Sequence, residues 1–131
     1  MKEIKFRAWE SLNKNMIYFD GFIPFKISEK YIEGALSLHN QEKRYLTTLN
    51  YDKIEVMQYT GVKDIDNEEV YKDDILEIWI GSIKQDNYYI VNDLRELYFE
   101  MYRDDLYYRI SKIKIVGNKH QNPELMKKII C

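Results

Sequence analysis

A chain of 131 residues, 45% of them hydrophobic, can bury a core without disulfides or metals, as one domain or two very small subdomains. Its 20 basic and 22 acidic residues nearly cancel, which argues against a protein that grips nucleic acid mainly through phosphates. The single cysteine, Cys131, cannot form an internal bridge, and no stretch approaches the length of a membrane helix.

The start, Met1-Lys2-Glu3-Ile4-Lys5, carries charge where a signal peptide needs an apolar run. Cys131 also lacks the three following residues of a prenylation box. A soluble, cytoplasmic protein is therefore expected, with no membrane partner. Twelve tyrosines against five glycines and two prolines favour pleated, half-buried surfaces and so β structure.

In chain order, Ile4, Phe6 and Ala8 alternate with Lys5 and Arg7, the period of a half-buried strand. Ser11–Asn15 is polar and turn-like, and Met16–Phe19 can pair back to make a hairpin. Lys30–Leu38 and Lys43–Leu49 are less regular strand candidates. In Asp52–Tyr59, Ile54 and Val56 fall on one side and Met57 and Tyr59 on the other, which predicts a strand buried from both. Turn formers dominate Thr60–Asn67, and a second turn is expected at Lys72-Asp73. Asp74–Ile80 is a clear strand with Leu76, Ile78 and Ile80 on one face, and Asn87–Val91 is another.

Leu94–Tyr102 fits a helical stripe (Leu94, Leu97, Tyr98, Met101) and also strand alternation (Leu97, Phe99, Met101). Its shortness and aromatic content favour strand. Leu106–Ile110 and Lys112–Val116 complete the β region, the latter with Ile113 and Ile115 inward and its lysines outward. Asn122 as N-cap, Pro123 at the first helical position, Glu124 at the start and Lys127 and Lys128 at the end predict a helix over about Pro123–Ile130, held by Leu125 and Ile129.

Three blocks carry a likeness to a known family. The first is Ile4-Lys5-Phe6-Arg7-Ala8-Trp9 followed by Asn15-Met16-Ile17-Tyr18. The second runs from Met57 through Tyr59-Thr60-Gly61 and Glu69-Val70-Tyr71 to Asp74-Ile75 and Ile78. The third is Val116-Gly117-Asn118 with Asn122-Pro123-Glu124-Leu125. In order and spacing they resemble the YopX family of phage-encoded proteins over about 50 of the 131 residues.

The resemblance implies a mainly β fold over 1–131, with an SH3-like barrel in the C-terminal part, a phage or prophage origin, and no established activity. Candidate subdomains are an N-terminal β unit, 1–56, and the barrel with its terminal helix, 57–131. Where the family usually has glycine, this chain has Asn67 and Asp73. Both residue types tolerate positive φ, so the same turns are expected.

Catalytic and metal signatures are missing from the sequence. It has two histidines, His39 and His120, one cysteine, and no Cys-x-x-Cys or His-Glu-x-x-His. An EF-hand loop started at Asp64 would put Glu69 where Gly is needed and Ile75 where Glu is needed. There is no phosphate-cradling glycine loop and no nucleophile elbow. Adjacent acids such as Asp73-Asp74 and Asp104-Asp105 are expected to be solvated, and Cys131 sits on a terminus.

Two features suggest an interaction surface. From Asp64 to Glu77 seven acids and one lysine give a local net of −6, and from Arg109 to Cys131 six basic residues and one acid give +5. Most such charges are ordinary surface charges, yet the asymmetry could steer a partner or a second copy. Arg7 and Trp9, next-but-one on a strand, share a face and could stack.

The leading expectation is a non-enzymatic accessory protein without cofactors that self-associates or binds a host or phage protein. The alternative is a single-stranded nucleic-acid binder using Arg7, Lys112, Lys114 and Lys119 with Tyr88, Tyr89, Tyr107 and Tyr108. An enzyme of unrecognised type is the third. Phe6, Tyr59, Thr60, Gly61, Asp74, Gly117, Asn118, Asn122 and Pro123 read as structural parts of the family pattern.

Overall fold

Alternating side chains make the first strand, and a carboxylate turns the chain back. In the computed structural model, which describes residues 5–38, 44–50, 53–102 and 109–129, β1 (Phe6–Glu10) pairs antiparallel with β2 (Asn15–Ile27). Glu10 accepts the N–H groups of Leu12 (2.7 Å) and Asn13 (2.8 Å), and Lys14 closes the turn at φ 55°. The expected hairpin is present.

The chain divides into two compact units, Met1–Tyr59 and Thr60–Cys131. In the first, β3 (Tyr31–Leu38), β4 (Arg44–Asn50) and the start of β5 (Ile54–Lys63) complete an antiparallel sheet in the order β4-β3-β2-β1-β5. Ala8 and Phe19 are buried, with Phe6, Ile17, Phe22 and Ile54 packed against them. The Phe6 and Phe19 rings stack with centroids 5.7 Å apart.

β2 is much longer than the Met16–Phe19 segment anticipated. It absorbs that length through register shifts against β3 between Phe19 and Gly21 and between Pro24 and Lys26. Pro24 is tolerated beside such an irregularity because a bulge frees its missing donor. Arg7, expected on the outer face, is buried. The expectation of a β5 buried from both sides is corrected too: Met57 and Tyr59 are buried, whereas Val56 is 50% exposed.

In the second unit β5 runs on to Lys63 through Gly61 at φ 83°, so the turn expected over Thr60–Asn67 starts only at Asp64. β6 (Glu69–Tyr71) lies beside this end of β5. β7 (Asp74–Ile80) is the hub of a second sheet, flanked by β10 (Ile110–Asn118) on one side and by β8 (Ile83–Lys84) and β9 (Tyr89–Ile90) on the other. Leu76, Ile78, Ile110 and Ile113 join Val62, Val70, Val91 and Leu97 in one buried cluster. The inward face anticipated for β7 and β10 is the one the core uses.

Leu94–Tyr102 is a helix, α1, and not a strand. Asp93 decides it: its carboxylate accepts the Arg95 N–H at 2.7 Å, an N-cap bond that a strand cannot use. Leu97 then reaches the core, fully buried, with Tyr98 and Met101 packed against the cluster on the same side. Of Leu106–Ile110 only the last two residues are described, and Asn87–Val91 shortens to the two-residue β9.

The terminal helix is a 3-10 helix over Pro123–Lys128. Asn122 does not cap it through its side chain; that oxygen is committed elsewhere, as shown below. Leu125 and Ile129 are half-buried while Met126 faces out. The fold is thus mainly β with two short helices, and among the described residues the strands close no barrel. No described helix is long and apolar enough to cross a membrane.

Candidate functional site

Three acidic residues expected at the solvated surface are built into the second unit. Asp73 sits in the tight turn between β6 and β7 at φ 71° and is almost fully buried. Lys72 Nζ donates to its Oδ1 at 3.2 Å, His120 Nε2 lies 3.1 Å from its Oδ2, and Lys119 Nζ lies 3.7 Å away. Burial alone would raise this carboxyl, but Lys119, His120 and Lys72 outweigh it and hold it below the usual carboxylate range. Its backbone joins two further segments, donating to the Val91 carbonyl (2.7 Å) and accepting from the Lys119 N–H (3.0 Å). Asp74 Oδ2 closes the same turn by accepting the Tyr71 N–H at 2.8 Å.

The end of β10 locks onto this turn. Asn118 Oδ1 accepts the N–H groups of His120 (3.0 Å) and Gln121 (2.9 Å), and Asn122 Oδ1 accepts the Asn118 N–H (3.2 Å). Gly117 is required because a Cβ there would lie 2.5 Å from Asn122 Oδ1. His120, expected at the surface, is only 7% exposed at its side chain. It pairs a carboxylate, but the pair is occupied with holding turns.

Asp64 is the third. Its Oδ1 accepts the N–H groups of Asp66 and Glu68 (2.9 Å each), and its Oδ2 accepts that of Ile115 at 3.0 Å. Together with the Ile65 N–H donating to Ile113 (3.0 Å), this binds the 64–68 loop along β10. Asn67 completes the loop at φ 66°. A cation-binding reading of this loop is therefore unsupported, since both oxygens of its first acid already hold backbone donors.

The outward face of the second sheet is different in kind. Trp79 on β7 lies directly opposite Lys112 on β10 and Lys84 on β8. Lys114 lies opposite Glu77, which also pairs with Lys84 at 3.1 Å. All three lysines are exposed and Trp79 is half-buried. The sequence reading singled out Lys112 and Lys114; it missed Trp79 and Lys84, whose placement depends on the register of three strands.

With this geometry in view, the comparisons are informative. The family model described as YopX protein matches residues 5–127. The chain belongs to the YopX family. The solved structure of protein EF1440 from Enterococcus faecalis is similar over 94% of this chain and 97% of its own, at 20% identity and a TM-score of 0.46. No curated protein matches significantly.

The YopX pattern can now be read physically. Thr60 is fully buried; its hydroxyl donates to the Val70 carbonyl (2.7 Å) and accepts the Val62 N–H (3.1 Å), fastening β5 to β6. Gly61 supplies positive φ beside it. Asp74, Gly117, Asn118 and Asn122 form the clasp described above, with Pro123 opening the 3-10 helix. Asn67 and Asp73 hold positive φ, as expected of turns where the resemblance implies glycine. Phe6 and Tyr59 are buried or half-buried strand residues, and Arg7 and Trp9 share one face of β1, Arg7 buried and Trp9 half-buried.

Among the expected aromatic surface, Tyr107 and Tyr108 lie outside the described residues, as do His39, Asp104, Asp105 and Cys131. Tyr88 is half-buried with Lys128 over its ring. Tyr89 is turned inward, and its hydroxyl is buried without a hydrogen-bond partner among the described residues. Burial, with Glu96, Glu100 and Asp93 nearby, pushes its phenol up to about 12.

An unfolded tyrosine ionises near 10, so the unfolded chain loses its proton first and stability falls as pH rises from about 10 towards 12. Tyr89→Phe is expected to leave stability at neutral pH unchanged or raised by about 1 kcal/mol, and to flatten this alkaline loss. Urea unfolding of both proteins at pH 7 and pH 11 checks it. A Phe variant that is clearly less stable at pH 7 would mean the hydroxyl has a partner.

Proposed function

We propose that this YopX protein is a non-enzymatic phage or prophage accessory factor that acts by self-association, through the edge of its N-terminal sheet that no further strand covers among the described residues. The reading is carried by β4. It is the outermost strand of that sheet, seven residues long, with the sequence Arg-Tyr-Leu-Thr-Thr-Leu-Asn. It pairs with β3 in continuous register from Tyr31↔Asn50 to Ser37↔Arg44, whereas β2–β3 shifts twice. Proteins usually blunt such edges with proline, bulges or several charges. This strand has a single charged residue, no proline and no bulge.

A second copy satisfies the edge well. An antiparallel pairing centred on Thr47 sets Arg44 against Asn50 and keeps the strand's charge away from its own image. The outward backbone groups along such an edge then gain partners and the interface is symmetric. A host or phage partner offering an extended segment would use the same edge.

The clasp residues support a scaffold and not a reaction: their carboxylates, amides and histidine are spent on backbone donors and on one another. The C-terminal unit is read as an open form of the SH3-like arrangement, with β5, β6, β7, β8 and β10 as its short antiparallel strands.

Proline at the edge tests the proposal. In a strand, neighbouring N–H groups point to opposite sides, so one of Thr47 and Thr48 donates towards β3 and the other outwards. Thr47→Pro and Thr48→Pro are expected to behave differently. One lowers the melting temperature by breaking the β3 ladder; the other leaves melting within a few degrees but converts the particle to a monomer in light scattering. If neither changes the oligomeric mass, the edge is not the interface.

A further inference from the structure

We infer that the outward face of the second sheet is a binding site for single-stranded nucleic acid, with Trp79 as its stacking platform. It is independent of the β4 edge, which belongs to the other unit. Trp79 stands on the central strand β7, and a lysine stands directly opposite it on each flank, Lys112 on β10 and Lys84 on β8. Residues directly opposite in an antiparallel pair have Cβ atoms about 5 Å apart, so a lysine side chain springs from either side of one indole, with Lys84 Nζ lying 3.1 Å from Glu77 Oε1. Lys114, two residues on from Lys112 and so about 7 Å along the same strand, extends the cationic row.

The chemistry of this arrangement selects the ligand. A half-buried indole with cations on both sides suits a planar, uncharged ring whose links to its neighbours are anionic, and a nucleotide in a single strand is such a unit. The base stacks on Trp79 while the phosphates on either side meet Lys84 and Lys112. A duplex keeps its bases stacked inside, and a short open sheet face presents nothing shaped to enter a groove.

Glu77 is the one acid on this row. It is already paired with Lys84 at 3.1 Å, the lysine side chain 55% and the glutamate side chain 18% exposed, so a phosphate must share Lys84 with Glu77. Near-neutral overall charge does not oppose the site. Three of the 22 acids, Asp64, Asp73 and Asp74, are buried in turns, Asp64 and Asp74 accepting backbone donors and Asp73 facing Lys72, Lys119 and His120.

Lys112 and Lys114 stand on β10 and Lys84 on β8, the outer strands of this sheet, with Lys112 and Lys114 opposite Trp79 and Glu77. Edge protection and bare shielding of the tryptophan are the competing roles, and both predict no ligand.

The test is fluorescence anisotropy of a labelled oligothymidylate with the full chain. Binding is expected at 50 mM salt, with affinity falling about 20-fold by 200 mM, as three phosphate contacts on a single strand require. Lys112→Gln/Lys114→Gln should reduce the salt slope by about 1.4, and Trp79→Leu should weaken binding about tenfold.

Because Trp79→Leu could disturb folding, stacking is also read without touching Trp79. The chain has two tryptophans, and in a Trp9→Phe background oligothymidylate should quench the remaining emission. Absence of binding at 50 mM salt, unquenched emission on binding, or equal competition by polyglutamate of the same charge would each overturn the inference.

Discussion

Replacing Asp64 by alanine is expected to lower the unfolding free energy by about 3–4 kcal/mol, a large share of the 5–15 kcal/mol typical of a domain. One carboxylate accepts three backbone N–H groups, from Asp66, Glu68 and Ile115. Hydrogen bonds to a charged acceptor are worth about 1.5–3 kcal/mol each when buried, and these are part-buried, which discounts the sum. The alanine leaves all three donors without their acceptor and detaches the 64–68 loop from β10.

Asp64→Asn should cost roughly half as much, because the amide oxygen keeps one set of donors while its NH2 faces the other. Urea unfolding gives the loss, and faster hydrogen exchange at the Ile115 amide locates it. A change below about 0.5 kcal/mol, the range of ordinary surface substitutions, would return Asp64 to the status of a solvated acid.

Gly117→Ala is expected to cost about 3 kcal/mol for a steric reason. The new Cβ would lie 2.5 Å from Asn122 Oδ1, 2.7 Å from Cγ and 3.0 Å from Cβ. Asn122 is too short to swing away at its tip alone, so the asparagine must leave its place. It then loses the Asn118 N–H, and overpacking of this sort adds about 1–3 kcal/mol. Asn122→Gly removes all three obstructing atoms. The double variant should therefore be less destabilised than the sum of the singles, with a coupling above about 1 kcal/mol. Additive losses would mean that Gly117 is needed for something other than room for Asn122.

These two positions mark where reading the sequence succeeded and where it stopped. Period-two alternation identified β1, β7 and β10 and the inward side of the latter two, through Leu76, Ile78 and Ile80 in one and Ile113 and Ile115 in the other. Positive φ at Asn67 and Asp73 was legible through the family resemblance, which implies glycine there, Asn and Asp being residue types that tolerate the same backbone. Leu94–Tyr102 went wrong for a local reason: its apolar residues satisfy both periods, and the deciding Asp93 bond lies just outside the segment.

Burial of Asp64, Asp73, Asp74 and His120 could not be read from neighbours in sequence. Their partners come from segments far along the chain, Ile115 for Asp64 and Lys119 and His120 for Asp73. The same holds for the site on the second sheet. Lys112 and Lys114 stood out by composition, but Trp79 and Lys84 join them only once β7, β8 and β10 are in register. Arg7 is the converse case: a cation beside Phe6 and Ala8 reads as outward, and the structure buries it.

Assembly through the β4 edge, which no further strand covers among the described residues, is the proposal on which the function rests. The most direct measurement is sedimentation equilibrium across a wide concentration range at low and high salt. A species of twice the 16.0 kDa chain mass that withstands salt is expected, because strand pairing depends on backbone hydrogen bonds and not on exposed charges. A 16.0 kDa particle at every concentration would contradict it.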